Sequence, residues 1–106
     1  MKKPTAAAAA AILAFTGCST LDQTAPPVSP AMSAHASRQG VPASSLEVGR
    51  RVLATRCANC HSLEPIGKFS AEEWGEIVED MSDRAGLNEE QKRQVTAYLQ
   101  AARSVL

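Results

Sequence analysis

Several things are missing from this chain, and each absence narrows what it can be. There is no excess of charge: 11 basic residues balance 11 acidic ones. A nucleic-acid binder would want a basic face, so that class is set aside. There is no second Cys/His pair beside Cys57 and Cys60, because Cys18 and His35 lie far upstream. Structural zinc takes four ligands, usually from two spaced pairs, so the count argues against zinc. No alternating strand pattern occurs, which removes the βαβ setting of a thioredoxin-like dithiol. There are no internal repeats. The apolar run from Thr5 to Phe15 is too short to span a membrane, which takes about 20 residues.

What is present centres on Cys57-Ala58-Asn59-Cys60-His61. C-x-x-C-H is the attachment signature of c-type haem. Two thiols add across the two vinyl groups of the porphyrin and form thioethers. Two intervening residues, in a nearly helical turn, let both sulfurs reach one edge of the ring. The residue after the second cysteine then lies under the iron, and a histidine there offers its imidazole as the proximal ligand. A disulfide across so short a gap is rare and strained. The expectation is one covalent haem c, held by Cys57 and Cys60 and ligated by His61.

The N-terminus has a different character. Lys2 and Lys3 precede the apolar run, and Thr16-Gly17-Cys18 closes it with small residues. This is a signal-peptide layout. Phe15-Thr16-Gly17-Cys18 resembles the bacterial lipobox, with phenylalanine where leucine is usual. That resemblance implies lipidation of Cys18, which accounts for the odd third cysteine. Plain cleavage, with Cys18 a bystander, is the alternative. Ser19 then points to the outer membrane by likeness to enterobacterial sorting. Residues 18–44 hold prolines at 26, 27, 30 and 42 and show no apolar period, so they are expected to form a flexible tether. Met32 and His35 fall in it.

Residues 45–106 are expected to fold. Ser44 and Glu47 fit a capping box for a helix to about Cys57, with Leu46, Gly49, Val52 and Leu53 on one face. Gly49 costs a helix roughly 1 kcal/mol and so suggests a close helix approach. Arg50, Arg51 and Arg56 make its other face basic. Ser70 and Glu73 form a second capping box, for a helix from about Ala71 to Asp83 that Gly86 ends. Trp74, Ile77, Val78 and Met81 fall at i, i+3, i+4 and i+7 on it. Its other face is acidic. Asn88 and Gln91 open a third helix to about Ser104, with Val95, Tyr98, Leu99 and Ala102 as its stripe.

Over residues 45–106 these features resemble the class I c-type cytochromes. The resemblance implies an all-α, three-helix domain wrapped around its haem. It pairs Gly49 with the crossing of the last helix and likens Tyr98-Leu99 to the aromatic-leucine pair there. It also offers the Pro65 carbonyl as acceptor for the ligand imidazole, against the simpler reading that Pro65 turns the chain. Met81 is the methionine of the folded part, and it is expected as the sixth iron ligand; a core methionine beside Trp74 is the plain alternative.

The expected function is one-electron transfer by a monomeric, lipid-anchored carrier on the periplasmic side of the membrane, between donor and acceptor proteins the sequence does not name. An iron with both axial positions filled has no place for substrate, so no enzyme is expected. Two other classes stay open. Without Met81 as ligand, the iron would be five-coordinate, as in a gas sensor or a peroxidase-like protein. The domain could also be the haem subunit of a larger oxidoreductase.

Overall fold

The computed structural model describes residues 23–59 and 62–106. Within them the fold is all-α, with four α-helices and two short 3-10 turns. They are α1 (Pro30–Arg38), α2 (Ala43–Thr55), α3 (Ala71–Ala85) and α4 (Glu89–Ser104). The 3-10 turns are Cys57–Asn59 and Ile66–Lys68.

The last helix is the hub. α4 packs against α2, α3 and α1, and Val95, Tyr98, Leu99, Ala101 and Ala102 are buried on it. It starts at Asn88, whose side chain accepts from the Gln91 N–H while Gln91 bonds back to the cap. α3 starts with the same reciprocal device at Ser70 and Glu73. Gly86 ends α3 in the left-handed region, at φ 70°, and the Leu87 N–H reaches the Ser82 carbonyl at 2.9 Å. These ends follow from local chemistry, since orphan N–H and C=O groups at helix termini need partners. The residues expected to bury on α2, namely Leu46, Gly49, Val52 and Leu53, are its buried face.

α2 and α4 cross at Gly49. A Cβ placed there would stand 2.1 Å from the Gln94 carbonyl oxygen and 3.0 Å from the Tyr98 Cβ. Only glycine lets the two backbones approach this closely. The expected close approach is therefore observed, with Tyr98 at the contact.

Two expectations are corrected. The start of α2 carries no side-chain cap, and its N-cap is Pro42 in an extended conformation, not Ser44. Pro42 sets the chain direction two residues earlier than the Ser44–Glu47 pattern suggests. The larger correction concerns residues 23–42, expected to be a flexible tether and instead part of the packed domain. Ser29 caps α1, its Oγ accepting from the Met32 N–H at 3.2 Å, and Pro30 occupies the first turn. Proline is suited to that position because its missing N–H would be unpaired anyway. Gly40, at φ 76°, closes the helix, with the Val41 N–H returning to the Ala36 carbonyl at 2.8 Å. Met32 and Ala36, four apart, are almost wholly buried. Ahead of α1 the chain is fixed by its backbone: Arg50 Nε donates to the Ala25 carbonyl at 3.0 Å, and the Tyr98 hydroxyl donates to the Pro26 carbonyl. Burial and hydrogen bonds offset the ordering cost that the composition alone left uncovered. The three-helix expectation thus becomes four helices among the described residues.

Candidate functional site

One side of α4 is closely packed, and the other faces a cavity of about 780 Å³. α3 supplies one wall through Trp74, Ile77, Val78 and Met81, the stripe read from the sequence. α4 supplies Val95 and Leu99. The end of α2 and the turn after it supply Leu53, Arg56 and Cys57, and the chain beyond contributes Leu63 and Phe69. Thr24, in the segment before α1, completes the lining on another side.

The second 3-10 turn and the chain from it to α3 are held from two directions. Trp74 Nε1 donates to the Ile66 carbonyl at 2.9 Å, and the Phe69 ring stands edge-on to the indole with centroids 5.1 Å apart. From α4, Arg103 Nε donates to the Phe69 carbonyl at 2.9 Å and Gln100 Nε2 to the Ala71 carbonyl at 3.1 Å. The aromatic wall therefore has a fixed position, because each polar edge meets a backbone partner.

Of the site residues expected from sequence, Cys57 and Met81 line this one cavity. Met81 is half-buried, and its Sδ accepts from Arg84 Nη1 at 3.7 Å. Cys60 and His61 lie outside the described residues, in the gap between Asn59 and Ser62; Cys18 lies outside them too. The tether residues Met32 and His35 are elsewhere. Met32 is in the core, 1% exposed. His35 borders a separate small cavity of about 80 Å³ with Ala97 and Gln100. The Pro65 carbonyl accepts from the Lys68 N–H at 3.1 Å, ahead of the second 3-10 turn, while its other expected partner, the imidazole of His61, lies outside the described residues.

Sequence reasoning did not find Leu53, Leu63, Phe69, Leu87 or Thr24 as lining residues, nor the two guanidinium groups, Arg56 and Arg84, on the same wall. Phe69 had a signal, an aromatic residue directly before the Ser70 cap, where a hydrophobic residue commonly packs back onto the helix.

A cavity of this size, lined mainly by apolar side chains with few polar groups, suits a flat apolar cofactor better than a hydrated ion. No group of three or more His, Cys, Asp or Glu side chains gathers around a metal position among the described residues. The lining instead carries the Cys57 thiol and the Met81 thioether among apolar side chains, groups that could respectively add to a porphyrin vinyl group and ligate its iron.

Over 54 residues, 51% of its length, the chain is 30% identical to the cytochrome c-type protein TorY of Haemophilus influenzae. Over that half it is similar to a c-type cytochrome. The match covers 15% of the longer relative. No family model and no solved structure matches the chain.

Proposed function

We propose that this protein is a monohaem c-type electron carrier, held at the periplasmic side of a bacterial membrane by lipid on Cys18. The observation that carries the reading is the apolar cavity with Cys57 of the C-x-x-C-H sequence and Met81 on its wall. Haem, when bound, supplies a one-electron iron couple. Cys57 and Cys60 hold the ring through thioethers, each formed by adding an S–H across a vinyl group. His61 and Met81 would hold the iron in this reading. Trp74, Ile77, Val78 and Leu99 exclude water from the ring faces, which favours the less charged ferrous state and keeps reorganisation small. With His61 and Met81 both bound, the iron would have no open position for substrate, and one-electron transfer between partner proteins is the function proposed. The signal-peptide layout and the lipobox resemblance at Phe15–Cys18 support the anchor.

The test is a Cys57→Ala/Cys60→Ala double variant made in a host with a cytochrome c maturation system. Covalent haem stain should vanish while the wild-type chain keeps it. Persistent covalent stain in the double variant would overturn the reading. A second reading, a haem subunit of a larger oxidoreductase, draws on the match to a short part of a longer cytochrome c-type protein. A stoichiometric catalytic partner co-purifying from native membranes would favour it.

A further inference from the structure

We propose that Arg56 is a positioning residue for Met81, acting as a latch between the turn that begins at Cys57 and the C-terminal end of α3. The inference rests on the haem reading, with Met81 as an iron ligand.

Arg56 sits at a junction. Its N–H donates to the Val52 carbonyl at 2.7 Å, so it is the C-cap of α2, and the next residue is Cys57. Its side chain leaves α2 altogether. Nη1 donates to the Gly86 carbonyl at 3.0 Å and to the Ala85 carbonyl at 3.4 Å. These carbonyls belong to the end of α3, where intrahelical donors run out and partial negative charge collects. A guanidinium there satisfies both deficits. Gly86 holds the left-handed conformation, at φ 70°, that side chains rarely adopt, and so fixes where its carbonyl points.

The position of this latch is what matters. Arg56, Cys57 and Met81 are all on the wall of the one cavity. Met81 is five residues ahead of Gly86, just over one turn before the latched carbonyls. The bond therefore ties the helix turn that presents the thioether to the turn that presents the first cysteine. On its other side α3 is tied to α4, where Lys92 Nζ bridges Glu79 at 3.1 Å and Glu89 at 3.0 Å. Arg56 holds α3 from the haem-attachment side. Methionine–iron bonds are weak enough for modest movement of the bearing element to matter, because positioning of a ligand enters its binding equilibrium directly.

The test uses holoprotein of four kinds: wild type, Arg56→Gln, Arg56→Lys and Met81→Ala. The readouts are the far-red methionine–iron band of the ferric state, CO binding to the ferrous state, and helix content by circular dichroism. Arg56→Gln should raise the fraction of molecules lacking the band about three- to tenfold, with CO binding rising in parallel, at temperatures where helix content is unchanged. Arg56→Lys keeps a cation near the same carbonyls and should recover most of the band. A purely structural role would lower band and helix content together. Wild-type band and CO binding in Arg56→Gln, or loss only in step with helix melting, would overturn the latch. A separate outcome addresses the underlying reading. If the wild type lacks the band, or Met81→Ala retains it, ligation by Met81 is wrong and the latch falls with it.

Discussion

At the crossing of α2 and α4 a single added methyl group would stand 2.1 Å from a backbone oxygen, whereas on the α3 side of α4 the same domain encloses about 780 Å³. At the crossing the Gln94 backbone and Tyr98 leave no room for a side chain on Gly49. The α3 side is a wall of side chains around a volume that the described residues do not fill. A domain of this size has little core to spare. The close-packed side must then keep the fold, and the open side is shaped for something brought in from outside. Fit to the atom marks structure here, and unfilled apolar volume marks the site.

The most severe way to break this contrast is Gly49→Ala. The clash is with the Gln94 carbonyl, a backbone group that no rotamer change can move. The loss should exceed about 3 kcal/mol, above the usual cost of overpacking, read from the denaturant midpoint of the holoprotein at unchanged slope. A loss below about 1 kcal/mol would show that the crossing has slack. The contrast is sharpened by hydrogen exchange on full-length protein prepared without haem. Amides of α3 should exchange at least about tenfold faster than those of α2 and α4, because the open side has lost what fills it. Equal rates in all three helices would mean that both sides depend on the cofactor alike.

The smallest effect comes from Tyr98→Phe, at about 1 kcal/mol for a lost hydrogen bond to the Pro26 carbonyl. It carries a pH signature. Burial pushes the Tyr98 phenol up to about 12, partly opposed by Arg50. The folded protein thus holds the phenolic proton more tightly than the unfolded chain, whose tyrosine titrates near 10. The associated stability is complete below about pH 10 and is lost as pH rises towards about 12. Tyr98→Phe should remove that alkaline slope, and an unchanged slope in thermal melts between those pH values would refute the assignment.

Local chemistry made much of the fold legible in the sequence. The boxes at Ser70–Glu73 and Asn88–Gln91 and the stop at Gly86 depend on neighbours within three residues, so a linear reading finds them. Gly49 was legible because a glycine inside a helix asks for a reason. α1 was not, although Ser29, Pro30 and Gly40 punctuate it. Its buried stripe is one methionine and one alanine, too little apolar surface to register as a period, and the prolines were read as disorder when Pro30 and Pro42 mark the ends of helices. The cavity was half legible. Trp74, Ile77, Val78 and Met81 share one helix face, and periodicity collects them. Leu53, Leu63 and Phe69 come together from separate segments. The bonds from Arg56 span 29 and 30 residues, and no local pattern encodes such a pairing.

The docking of the segment before α1 changes how far the haem domain can travel. Only five residues lie between Cys18 and Thr24, which is already on the cavity wall, whereas 25 lie between Cys18 and Ser44. At about 3.3–3.6 Å per residue the longest possible leash falls from about 90 Å to about 20 Å. With lipid on Cys18, as proposed, the domain would ride over the bilayer like a puck on ice, and a partner would have to come to that surface to meet it.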